Sequence, residues 1–143
     1  MATNVENVRE DAGIEPIPDA YRDLVERPIV AALATTLPDG TPQVTPVWFN
    51  EKDGYVYFNS AQGRLKDRAI RENPYVALVI IDPDNPYRYL AIRGPVIEIS
   101  EQGVREHIDF LAKRYRGLEK YPGPADETRY KYKVAPEHVR GNG

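Results

Sequence analysis

The sequence contains no cysteine. That absence excludes disulfide scaffolds, Cys-ligated zinc, iron–sulfur clusters and a thiol nucleophile. Histidine is scarce: His107 and His138 are too far apart to resemble a metal-binding motif, and each is expected to be structural. A basic excess is lacking too. The 19 Lys and Arg against 22 Asp and Glu leave a formal net charge of −3, unlike the footprint of a nucleic-acid binder. The longest apolar runs, residues 29–33 and 76–81, fall far short of a membrane span. The first fifteen residues place Glu6, Arg9, Glu10 and Asp11 among small residues, with no apolar stretch of a secretory signal. The expectation is a soluble, cytoplasmic protein. No G-x-S-x-G elbow, H-E-x-x-H pair or Walker loop is present, so hydrolase and metalloprotease readings have no support. No acid–base or nucleophile set stands out and no metal site is expected; an enzyme of this composition needs its chemistry supplied by a cofactor.

The 143 residues suit one domain with one core. Residues 1–17 are polar and without periodicity, and are expected to form a loose arm ahead of a single domain over 18–143. Asp19 can cap a short helix carrying Tyr21, Leu24 and Val25 on one face, stopped by Pro28. Strands are predicted over 29–36, 43–50, 55–59, 75–82, 87–100 and 128–134. The first three are separated by Pro38-Asp39-Gly40 and Lys52-Asp53-Gly54, tight turns that predict an antiparallel meander. A helix over 64–72 is halted by Asn73-Pro74. Ser100 can cap a second one whose stripe is Val104, Ile108, Leu111, Ala112 and Tyr115. Gly94-Pro95 inside the long fifth strand marks a bend of the kind that curls a sheet into a barrel. The last strand alternates Tyr130, Tyr132 and Val134 against Arg129, Lys131 and Lys133, which predicts one wet face, and the tail from Pro136 is polar. The sum is a mainly β fold, six mostly antiparallel strands in a small closed or split barrel with attached helices.

The most informative stretch is Asn59-Ser60-Ala61-Gln62-Gly63-Arg64-Leu65-Lys66. A small-residue turn leads from strand to helix, and the first helical turn carries two cations, where the helix dipole favours carboxylates instead. An anion held between backbone N–H groups and these side chains accounts for the mismatch. The plain alternative is a solvated basic face, with Arg68 and Arg71 at helical spacing and Asp67 and Glu72 interspersed. Trp48, the only tryptophan, follows Thr45-Pro46-Val47. Pro46 cannot donate a ladder hydrogen bond, so this strand is an edge, a bulge, or backbone freed to face a flat ring; alternatively Trp48 packs in the core. Tyr87-Arg88-Tyr89 can stack on a ring or pair with an acid, or serve as ordinary strand residues.

These segments in order, with Leu33-Ala34-Thr35-Thr36, Asn73-Pro74-Tyr75-Val76-Ala77-Leu78 and Arg93-Gly94, resemble the pyridoxamine 5′-phosphate oxidase-like superfamily. Within it the chain is most similar to the flavin/deazaflavin oxidoreductases that depend on coenzyme F-420. The resemblance covers roughly residues 20 to 140. It implies a six-stranded split β-barrel of the FMN-binding type, a homodimer, and a cofactor in a groove between subunits. Arg64 and Lys66 match residues that hold the cofactor phosphate. Thr45, Pro46, Val47 and Trp48 match the strand along the ring, and Asn59, Ser60 and Ala61 its edge contact. Tyr87, Arg88 and Tyr89 match a strand reaching the cofactor bound mainly by the other subunit. Thr45 stands where vitamin B6 oxidases carry a phosphate-binding arginine, and their C-terminal Trp/Arg motif is not evident. The resemblance implies hydride transfer between reduced coenzyme F-420 and a conjugated small-molecule acceptor. FMN as the cofactor, or a non-catalytic cofactor- or tetrapyrrole-binding role, are the alternatives. Arg68, Arg71 and Lys52 are candidates for an oligoglutamate tail.

Overall fold

The computed structural model describes residues 5–143; Met1 to Asn4 of the expected arm lie outside the described residues. Its strands are β1 (Val5–Asn7), β2 (Ala31–Thr36), β3 (Pro42–Val47), β4 (Phe49–Lys52), β5 (Tyr55–Ala61), β6 (Tyr75–Ile81), β7 (Tyr89–Ser100), β8 (Arg129–Val134) and β9 (His138–Asn142). A 3₁₀ turn at Asp19–Tyr21 runs into α1 (Arg22–Glu26), followed later by α2 (Leu65–Glu72) and α3 (Val104–Arg116). The strands are ordered β3-β2-β6-β7-β8-β5-β4, all antiparallel, with β1 and β9 added along β7. The sheet curls on itself, and the chain has the mainly β split-barrel fold expected from its sequence. No helix among the described residues is long and apolar enough to cross a membrane.

Alternation builds the interior. Along β2, Ala31, Leu33 and Thr35 point inward; along β6, Val76, Leu78 and Ile80 do the same. They meet Leu90 and Ile92 of β7 and the stacked pair Phe58–Tyr132, whose ring centroids lie 4.7 Å apart. Leu24 and Val25 of α1 and Ala69 and Ile70 of α2 are buried with them. The long strand β7 belongs to both halves: Tyr89–Pro95 pairs with β6, while Val96–Ser100 pairs with β8. The turn from one half to the other falls at Gly94-Pro95, where a Cβ on Gly94 would lie 1.9 Å from the Ala135 carbonyl oxygen.

Four expectations are corrected. The strand predicted over 43–50 is broken at Trp48: β3 pairs with β2, β4 pairs with β5, and the first three predicted strands do not form a meander. The arm is not loose from Val5 onward. β1 pairs with the second half of β7, Val8 N–H donates to Ile97 O at 2.9 Å, Tyr55 Oη hydrogen-bonds Asp11, and Ile17 enters the core. The polar tail forms β9 against Tyr89–Arg93. Among the described residues these additions and the break raise six strands to nine, and both added segments pair by main-chain bonds that side-chain periodicity does not report. Finally, Ser100 does not cap α3. It lies within β7 with its hydroxyl accepting from Gln102 N–H, and Gly103, at φ 66°, stands at the cap position.

His107 fastens α3 to the barrel. Its Nε2 lies 2.8 Å from Asn50 Oδ1 and its Nδ1 lies 3.2 Å from Asn59 Nδ2, an arrangement of a neutral ring donating through Nε2 and accepting through Nδ1. Burial, then the charges of Lys131 and Arg129, hold its pKa down at about 4.

Two outcomes are expected. Gly94→Ala lowers stability by about 1–3 kcal/mol or more, because the opposing atoms are backbone; an unchanged urea midpoint would contradict the close approach. His107 titrates near 6.5 when unfolded and near 4 when folded, so its contribution is complete above pH 6.5 and lost as pH falls through 4. Wild-type stability therefore falls more steeply over that window than that of His107→Gln, and equal slopes in denaturation at several pH values would refute this.

Candidate functional site

The break at Trp48 opens a cleft of about 390 Å³ between the β3–β4 crossing, the start of α2, α3 and the loop before β8. Val47 is the last residue of β3, so the chain must swing from one half of the sheet to the other across Trp48. Tyr115 of α3 holds that crossing: its hydroxyl donates to Ile29 O at 2.7 Å and accepts from Phe49 N–H at 3.2 Å. The indole stacks on the Tyr115 ring at 5.4 Å and meets Tyr121 edge-on at 6.5 Å. Pro46, Val47 and Trp48 form one apolar wall, and Ile108 and Leu111 continue it from α3.

The opposite wall is cationic. Gly63, at φ 79°, turns the chain out of β5 and into α2. Gln62 N–H donates to Thr128 O at 2.8 Å, which ties this turn to the loop before β8. Asp67, buried on the first turn of α2, accepts from Gly63 N–H at 3.4 Å, Arg71 Nε at 3.2 Å and Tyr132 Oη at 2.5 Å. With the turn held, Arg64 and Lys66 both line the cleft. Burial, and then the neighbouring Arg64 and Arg129 charges, hold the Lys66 pKa below its usual value, and Lys66 makes no hydrogen bond or ion pair with any described residue.

Arg129 is the cation that sequence reasoning missed. Its position on the charged face of β8 reads as solvent-facing, yet it is 5% exposed because Tyr121 covers it, the guanidinium carbon 4.9 Å from the ring centroid. Nε donates to Asn59 Oδ1 at 2.7 Å, and Asn59 is itself held by His107 and by Val104 O. Tyr121, which also lines the cleft, was equally hidden in a loop without periodicity.

Of the residues singled out from sequence, Pro46, Val47, Trp48, Asn59, Arg64 and Lys66 come together on this cleft. Thr45 lies one residue back on β3, paired with Leu33. Ser60 and Ala61 are buried in β5, facing Tyr130 and Arg129 in the ladder, and do not line it. Tyr87, Arg88 and Tyr89 also lie off the cleft of their own chain. Arg88 is engaged by Asp23 at 2.6 Å, Asp82 at 2.9 Å and Ala20 O at 2.7 Å, and these carboxylates raise its pKa. Tyr87 is 79% exposed. Among the described residues no group of three or more His, Asp or Glu is arranged to hold a metal. What the cleft offers is one flat apolar wall facing three cations, the donor set for a planar molecule carrying an anionic arm.

Comparison with known proteins identifies the family of the chain. No curated protein matches the sequence. Among solved structures, an F-420 reductase is 40% identical over 87% of this chain and 98% of its own, with a TM-score of 0.79. A conserved hypothetical protein from Mycobacterium tuberculosis (22% identical, 94% of this chain and 89% of that one, TM-score 0.70) shares the fold. So does an FAD- and heme-binding protein from Mycobacterium smegmatis (17% identical, 90% and 71%, TM-score 0.66). The family model described as pyridoxamine 5′-phosphate oxidase matches residues 17–143. The chain belongs to the pyridoxamine 5′-phosphate oxidase family.

Proposed function

We propose that this chain is an oxidoreductase that binds coenzyme F-420 in the cleft and serves hydride transfer to a conjugated small-molecule acceptor. The observation that carries the reading is the lone ammonium of Lys66, half-buried beside Arg64 and Arg129 and without an acidic partner among the described residues. Arg64 and Arg129 share the carboxylate of Glu127, whereas Lys66 has no such partner, so the cleft keeps an excess of positive charge that a bound anion would offset. The identity with an F-420 reductase favours a deazaflavin as the molecule that brings it.

A bound deazaflavin supplies the hydride, which is why the cleft needs no nucleophile of its own. In this reading Arg64 and Lys66 hold the phosphate. Pro46, Val47 and Trp48 lie along the ring and exclude water from one face, and the Tyr115 clamp on the β3–β4 crossing keeps that wall rigid. Positioning of ring and acceptor is then the chain's main catalytic contribution. The cation set suits an FMN phosphate equally well, so the cofactor test carries both.

We further propose that the protein works as a homodimer. The outer face of β2, β6 and β7 presents Ala32, Ala34, Ala77 and Ala91, with Val44 of β3 65% exposed beside them. Small apolar side chains on a sheet face suit close approach by a second copy. Of residues 87–89, Tyr87 is the most exposed and can reach a neighbour's cleft, whereas Arg88 is taken up by Asp23 and Asp82.

Fluorescence titration of cofactor-free protein is expected to give micromolar or tighter binding of coenzyme F-420 and much weaker binding of FMN. The reverse order would make it an FMN protein, and binding of neither would remove the cofactor reading. Replacing Arg64 and Lys66 together by Ala should weaken binding by a few kcal/mol, each charge-assisted hydrogen bond being worth roughly 1.5–3; wild-type affinity in that variant would overturn the phosphate assignment. Light scattering is expected to give twice the chain mass, with Ala34→Glu shifting the protein towards monomer. A monomeric wild type would exclude the dimer.

A further inference from the structure

We infer that Glu127 is a built-in counter-anion of this cleft, standing where a ligand's phosphate binds, and that Arg129 is the fixed third cation that the phosphate takes over when Glu127 is displaced. The inference rests on the reading of the cleft as a phosphate-bearing cofactor site and adds to it what competes for that site.

One carboxylate serves two cations. Glu127 Oε2 lies 3.1 Å from Arg129 Nη1, and Oε1 lies 3.6 Å from Arg64 Nη2. The two guanidinium groups come from different elements, Arg64 at the N-cap of α2 and Arg129 at the start of β8, and the carboxylate is their shared acidic partner. Lys66 lines the same cleft outside this arrangement, so the three cleft-lining cations are matched by one carboxylate, which reaches them through its ion pairs with Arg64 and Arg129, and an excess of two positive charges remains. A phosphate carries several oxygens in a tetrahedral spread and up to two negative charges. It can therefore satisfy all three cations where the planar carboxylate reaches two.

The partners differ in freedom. The Arg129 side chain is 4% exposed, and Nε is fixed on Asn59, whose amide is held by His107 and the Val104 carbonyl. Arg64 is 52% exposed and Glu127 21%. Glu127 sits in irregular chain just ahead of β8, and the following residue is secured by the Gln62 N–H to Thr128 O bond. Its side chain can rotate away without moving the backbone that carries Arg129. Arg129 stays aimed at the cleft, so the site is preorganised for an anion while Glu127 prevents two cations from facing each other unpaired in its absence.

The test is Glu127→Gln, of similar size and without the charge. In titrations with inorganic phosphate and, separately, with FMN and coenzyme F-420, the variant should bind about tenfold or more tightly than wild type, while its melting temperature without ligand falls. Phosphate should then raise that melting temperature more than it raises the wild type's. Glu127→Asp, one methylene shorter and unable to span both cations, should fall between the two and serves if the Gln variant folds poorly. Unchanged or weaker binding in these variants, with wild type binding and the Arg64/Lys66 variant not, would overturn the role of Glu127 and leave the cofactor site standing. Absence of binding to wild type and variants alike would remove both.

Discussion

The architecture of the cleft depends on a carboxylate that never reaches it. Asp67 is 3% exposed, and an unpaired charge in that position would be prohibitively costly. Three donors compensate it: the Tyr132 hydroxyl from β8, the Arg71 guanidinium from its own helix and the Gly63 amide from the turn. Burial, and then the bond to Asp67, push the Tyr132 pKa up, so the phenol remains a donor. The consequence is geometric. The turn bearing Arg64 is bound to the strand that begins with Arg129, so cations 65 residues apart in sequence are held in one fixed relation. Read from sequence, Asp67 is one of two acids scattered on a basic helix face; only the fold shows it as the fastening.

How much could be read in advance varies with what holds each element. Strands β2, β5, β6 and β8 and helices α2 and α3 were legible because their side chains alternate or recur against a core, and that pattern is written in residue types. β1 and β9 were not, since short polar segments such as Val5–Asn7 join the sheet through backbone bonds that any sequence can make. The split at Trp48 was half legible. Pro46 signalled an edge, but that Phe49 pairs with Phe58 across the other half of the barrel depends on closure of the whole sheet. His107 meets Asn50 and Asn59 of the β4–β5 hairpin, which its turn made legible, but that α3 packs there is visible only in the fold.

The site divides in the same way. The Arg64/Lys66 pair was visible as cations at the wrong end of a helix, a local electrostatic inconsistency that needs no tertiary information. Arg129 was invisible for the opposite reason, because it occupies an unremarkable place in an alternating strand and becomes buried only when Tyr121 folds over it. A loop of Pro and Gly thus supplies what periodicity cannot report, both the cover over the guanidinium and the carboxylate that bridges it to Arg64. The cleft itself is defined by the placement of charge and apolar surface.

Strand β7 hydrogen-bonds four of the other strands, β6 and β9 along its first half and β1 and β8 along its second. Its partners come from both ends of the chain and from its middle, so nearly every pairing spans a long stretch of sequence. Neither half of the barrel is an autonomous folding unit, because each borrows part of the same continuous strand. Such a topology ties folding rate to the slow closure of distant contacts and couples the two halves into one cooperative transition. The bend at Gly94 is where that cooperativity passes between them: one residue without a side chain lets a single strand act as the seam of the whole molecule.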